Sequence, residues 1–149
     1  MTEVSFYHLR SQRLEQALPK LLERALDAGL RAVVLTGSKE RAEALNSALW
    51  TYDPNSFLPH GSAADGYAEE QPVFLTVEEE NPAGATVLVL TDGVEADYLG
   101  DFDRCLDMFD GNDEQAVQAA RVRWRQCQAA GHAVTYWQQS PEGRWEKKA

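Results

Sequence analysis

The chain has 149 residues, 44% of them hydrophobic, which suits one folded domain (residues 1–149) with a core of its own rather than a disordered tail. A formal net charge of −10 excludes general nucleic-acid binding, which needs a positive footprint. No apolar run approaches the roughly 20 residues that span a bilayer, so no membrane association is expected, and the opening MTEVSFYHLR lacks the basic and apolar regions of a signal peptide.

Val4 to Leu9 is a short apolar and aromatic run and reads as the first strand. Leu14, Ala17, Leu18, Leu21, Leu22, Ala25 and Leu26 recur at helical spacing, with Gly29 to close the helix and Pro19, off the stripe, expected to kink or restart it. Arg31–Thr36 is a continuous apolar run, as in a strand buried on both faces. Gly37 then turns the chain and Ser38 caps a helix carrying Ala42, Leu45 and Leu49. Residues Thr51–Pro72 are rich in turn formers and read as mostly loop. Pro72–Thr76, Thr86–Thr91, Arg104–Phe109 and His132–Gln138 read as further strands, and the end beyond Pro141–Gly143 as frayed. Alternating strands and helices predict the fold class: α/β, a single Rossmann-like domain with a mostly parallel open sheet flanked by helices.

The segment from Asn112 to Gly131 is predicted as one long helix, capped by Asn112 and ended by Gly131. At about 100° per residue, Ala116, Ala120, Cys127 and Ala130 form a small-residue side that can lie close to a sheet. Val117, Arg121, Trp124 and Arg125 form a second arc, with two guanidinium groups around an indole and a valine. That arc is either core with a solvated basic rim or a docking face for something anionic and aromatic. Charge distribution favours docking. Between Ser62 and Glu114 stand fifteen acids and one basic residue, whereas Gln115 to the end holds six basic residues and two acids. A basic island on an acidic protein repels long polyanions yet can hold a short acidic peptide, because screening acts within about 10 Å.

Signals for catalysis are weak. The turn LTGSKE has Gly37, Ser38 and Lys39 but lacks the earlier glycine of a phosphate-binding loop, and there is no GxGxxG. Asp101, Asp103, Asp107, Asp110, Asp113 and Glu114 do not match an EF-hand loop. His8, His60 and His132 lack zinc-ligand spacing, and Cys105 and Cys127 carry no nucleophile motif and read as reduced thiols. No catalytic residue, metal or cofactor is therefore expected. In SALWTYDPNSFLPHG, Trp50 ends a helix and Phe57, Leu58 and Pro59 follow a turn; these side chains either cover the core or form an exposed apolar patch.

FYHL at Phe6–Leu9, ALW at Ala48–Trp50, SFLPHG at Ser56–Gly61, QPVFL at Gln71–Leu75, ARVRWRQCQAAGH at Ala120–His132, YW at Tyr136–Trp137 and GRW at Gly143–Trp145 together resemble the chi subunit family of the bacterial DNA polymerase III holoenzyme. The resemblance implies a non-catalytic cytoplasmic subunit working at replication forks on the nucleoid. It implies a heterodimer with the psi subunit, which tethers chi to the clamp loader. It further implies binding of the acidic, phenylalanine-ended C-terminal tail of single-stranded DNA-binding protein. Mapped onto this chain, the tail pocket falls on Phe109, Val117, Arg121, Trp124 and Arg125, and the psi-facing surface on Trp50, Phe57, Leu58 and Pro59. Val117 stands where some members carry a basic residue. The alternatives are a nucleotide-binding or hydrolytic α/β enzyme, and an acidic-peptide module outside replication.

Overall fold

Strand periodicity sets the two faces of the sheet. In β1 (Glu3–Leu9), Val4 and Phe6 point to one face, while Tyr7 and Leu9 point to the other. A computed structural model of the chain describes residues 2–53, 58–62 and 65–149. The remaining elements are α1 (Leu14–Asp27), β2 (Ala32–Leu35), α2 (Lys39–Thr51), β3 (Gly61–Ser62), β4 (Val73–Thr76), β5 (Val87–Thr91), β6 (Arg104–Asp110), α3 (Glu114–Ala129), β7 (Ala133–Gln139) and β8 (Trp145–Lys147). The sheet runs β3-β4-β2-β5-β6-β1-β7-β8, parallel throughout except for the antiparallel β7–β8 pair. The expected mostly parallel α/β fold is the one observed.

Each face is closed by a different set of helices. Leu14, Leu18 and Leu22 of α1 and Leu45 and Leu49 of α2 pack with Leu9, Val34, Val89 and Met108. On the opposite face, Ala120, Val117, Trp124 and Cys127 of α3 pack with Val4, Phe6, Cys105 and Phe109. Strands β2, β4 and β5 are buried along their whole length, as their unbroken apolar runs require. The connection after β1 leaves on the α1 face toward β2, and the connection after β6 leaves on the α3 face toward β7. The neighbours β1 and β6 thus form a topological switch point, where open α/β sheets bear a crevice at the carboxyl ends of their strands.

Three local expectations need correction. Pro19 neither restarts α1 nor lies off its packed side: it is buried within one continuous helix. Asp113, not Asn112, caps α3, its carboxylate accepting from the Gln115 N–H at 3.0 Å. Asn112 instead donates from Nδ2 to the Arg10 carbonyl at 2.8 Å, tying the start of α3 to the end of β1. The C-terminal end is not frayed over Trp145–Lys147, because Trp145 packs edge-on against Tyr7 at 5.0 Å and its strand pairs with β7. Within the expected loop 51–72 the short strand β3 pairs with β4.

Candidate functional site

Parallel register assembles an aromatic floor beneath α3. It sets Phe6 opposite Tyr136 and His8 opposite Phe109. Trp124 drops from α3 onto this floor, 5.7 Å from the Phe6 ring and 5.8 Å from Tyr136, while Phe109 lies 6.1 Å from Tyr136. Such spacings and tilts suit aromatic pairs. Phe109 is fully buried and forms the base; Val117 and Trp124 are half-buried and form the wall.

Arg121 and Arg125 are exposed at the rim, one turn apart. The Arg125 Nε donates to the Arg121 carbonyl at 3.3 Å, and among the described residues neither guanidinium is paired with a carboxylate. Burial raises the Tyr136 phenol, against the pull of Arg121. Trp124 thus belongs to the packed face, and the arginines beside it are exposed and paired with no carboxylate among the described residues.

Three contributors were missed in the sequence. His8 joins the cluster with its ring 5.3 Å from Phe109 and its Nδ1 2.5 Å from the Tyr136 hydroxyl. Tyr136 itself is the second; counting by two from Phe6 along β1, and along β7, would have put both on the α3 face. Third, Arg123 falls on the packed side of α3, where small residues were expected. Ala120 and Cys127 do pack there, but Ala130 is exposed. The Arg123 guanidinium grips Asp107 with Nε–Oδ2 at 2.6 Å and Nη2–Oδ1 at 3.0 Å, both groups buried. Burial pushes the Asp107 carboxyl up, against the pull of Arg123. This pair pins α3 to β6 one residue before Trp124.

The switch-point crevice holds a cavity of about 760 Å³ bordered by Arg10, Arg13, Glu15, Arg41, Asp92 and Asp110. Its donors are largely committed. Backbone N–H groups of Arg10, Ser11 and Gln12, which a phosphate would use, all donate to the buried Gln139 Oε1 at 3.1–3.2 Å. Arg41 pairs with Glu15 and Asp92. In the LTGSKE turn, Ser38 caps α2 through the Arg41 N–H at 3.1 Å. Among the described residues no group of three or more His, Cys, Asp or Glu side chains converges as a metal site would require. No helix among them is long and apolar enough to cross a membrane.

Residues 1–135 match the family model described as DNA polymerase III chi subunit, HolC. The chain belongs to the DNA polymerase III chi subunit family. It is also similar to a protein of Rickettsia prowazekii (strain Madrid E) named probable DNA polymerase III subunit chi, with 28% identity over 159 aligned residues that cover all of this chain and 93% of that one. Chi is an accessory subunit of the replicative polymerase assembly, which makes this chain a DNA replication subunit.

In this chi-family chain, the end of α2 carries a second distinctive surface. Trp50 is 52% exposed and lies over the His60 ring at 4.3 Å. His60 anchors the returning loop, its Nδ1 2.6 Å from the Leu58 carbonyl and its Nε2 3.0 Å from that of Asn46. Leu58 inserts into the core, so it supports this surface from below; Pro59 is half-buried. Phe57 lies outside the described residues.

Proposed function

We propose that this subunit is a non-catalytic adaptor that holds the acidic, phenylalanine-ended C-terminal tail of single-stranded DNA-binding protein in the α3 pocket. The observation that carries the reading is the rim itself: two exposed guanidinium groups, paired with no carboxylate among the described residues, flank a half-buried indole and valine on a chain of net charge −10. The apolar wall suits a phenyl ring. The arginines suit the terminal carboxylate and nearby aspartates, with which a guanidinium pairs bidentately. Trp50, with Leu58 and Pro59 of the loop that His60 anchors, is the proposed docking surface for the psi subunit, Phe57 being assigned to it by the family resemblance alone, and psi then links the chain to the clamp loader in the cytoplasm at replication forks.

Binding of an Asp-rich peptide ending in Pro-Phe, followed by fluorescence anisotropy, tests the pocket. Wild type is expected to bind in the micromolar range and to weaken as salt rises; Arg121→Ala and Trp124→Ala are each expected to weaken it about tenfold, a loss of about 1.4 kcal/mol. Binding that neither substitution changes in folded protein would refute the assignment. For the second surface, Trp50→Ala should reduce co-purification of psi while leaving peptide affinity intact. Gln139 filling the backbone donors after β1 weighs against the nucleotide-enzyme reading, for which nucleotide-induced thermal stabilisation is the check.

A further inference from the structure

Resting on the peptide-binding reading of the α3 pocket, we propose that His8 and Tyr136 form a proton-linked donor in that pocket, so that capture of a carboxylate is coupled to uptake of a proton by His8. The geometry begins with the 2.5 Å contact between the His8 Nδ1 and the Tyr136 hydroxyl. The other edge of the ring, at Cδ2 and Nε2, faces Gly111. A Cβ at position 111 would lie 1.9 Å from the His8 Cδ2, so glycine there makes room for the imidazole.

The device uses the neutral tautomer with its proton on Nε2, in which the ring can only accept at Nδ1. The Tyr136 O–H must then donate inward to it, and the phenol presents lone pairs to the pocket. A carboxylate arriving between Arg121 and Trp124 meets those lone pairs. Once His8 gains a proton, Nδ1–H becomes the donor to the phenol oxygen. The Tyr136 hydrogen is released to turn outward and donate to the carboxylate, and the imidazolium adds a positive charge behind it. One proton is taken from solvent, and no covalent bond to carbon changes.

The surrounding charges poise this device. Burial, Arg10 after β1 and Arg121 on α3 disfavour the imidazolium, while the Gly111 backbone and Asp110 at the end of β6 favour it; the balance lies below the ordinary histidine value. His8 is therefore neutral in the empty pocket at neutral pH. A bound carboxylate opposes the arginine field, which is the condition for uptake. The Tyr136 phenol, raised by burial, keeps its own proton throughout this range.

The test is calorimetric titration of the full chain with the Asp-rich peptide ending in Pro-Phe, at about pH 6 and about pH 8, where the peptide carboxylates are ionised at both points. Repeating it in buffers of different ionisation enthalpy counts the protons. The expected result is affinity about 3- to 10-fold tighter at the lower pH, with net proton uptake near neutrality. His8→Gln, confirmed folded by its thermal transition, should lose the low-pH gain, and Tyr136→Phe, confirmed likewise, should lose the part carried by the phenol donor and keep only that of the imidazolium charge; His60 and His132 remain in both variants as internal controls. Equal affinity at both pH values with no proton uptake would overturn the proposal and leave the pocket reading standing. So would a pH dependence that survives in His8→Gln, or one that is undiminished in Tyr136→Phe. Absence of peptide binding at both pH values would overturn both.

Discussion

Replacing Arg123 by alanine tests the claim that a buried ion pair, rather than the small-residue stripe alone, positions α3. In the native protein the guanidinium makes two short hydrogen bonds to Asp107, and both residues are at most 6% exposed. Removing one partner of such a pair strands the other charge in a low-dielectric interior, at a cost of about 3–5 kcal/mol. That is a large share of the roughly 5–15 kcal/mol that stabilises a typical domain. At about 2–4 °C per kcal/mol for a chain of this size, the melting temperature should fall by roughly 6–20 °C. Urea unfolding at neutral pH measures the loss directly, provided the slope with denaturant stays that of wild type. Acid should rescue the variant in part. Burial already raises the Asp107 carboxyl, and a group raised on folding costs stability as pH rises through its folded value, so protonation at lower pH relieves the cost. The paired change Asp107→Leu with Arg123→Met should be less damaging than Arg123→Ala alone, because it leaves no orphaned charge. A loss below about 1 kcal/mol in Arg123→Ala, or a double variant worse than the sum of its singles, would refute the reasoning.

Gly111→Ala should destabilise by about 2 kcal/mol or more, since its Cβ would lie 2.5 Å from the Leu9 carbonyl oxygen as well as colliding with His8; thermal unfolding measures this, and a neutral substitution would mean the β6–α3 turn has slack. Gln139→Ala leaves three backbone N–H groups without their acceptor, and a loss above about 2 kcal/mol is expected, with faster amide exchange confined first to Arg10–Gln12. Exchange unchanged at those amides would contradict the role given to Gln139. Burial raises the half-exposed Glu15 carboxyl, but hydrogen bonds from its own backbone and from Arg41 outweigh that, and its net shift is downward. Its contribution is therefore present above the unfolded carboxylate value of about 4.3 and lost as pH falls through the lower folded value. Arg41→Ala should flatten that part of the stability-against-pH curve; an unaltered acid limb would show that the pair contributes nothing.

What could be read in the sequence was what local patterning controls. RAVVLT and TVLVLT announced buried parallel strands because both of their faces are covered, and Ser38 announced a cap that the structure contains. The arc of Val117, Arg121, Trp124 and Arg125 was legible because all four lie on one helix. His8 and Tyr136 were not, because they are brought together only by β1–β7 pairing across 128 positions, and no local period encodes strand order. Arg123 was missed for a related reason. A charged residue on a packed face is legible only when its partner is known, and Asp107 stood among six acids weighed as a calcium loop. Asn112 and Asp113 are both good capping residues, and the choice fell to Asp113 because Asn112 is used by the Arg10 carbonyl.

The most direct test of the adaptor reading is an amide-correlation NMR titration of the ¹⁵N-labelled chain with the Asp-rich peptide ending in Pro-Phe. Saturable shifts are expected at Val117, Arg121, Trp124 and Arg125, with further shifts at His8 and Tyr136, and the Trp50 indole should stay unmoved. Shifts centred on Trp50, or on the crevice beside Arg10 and Arg13, with the α3 pocket silent, would contradict it.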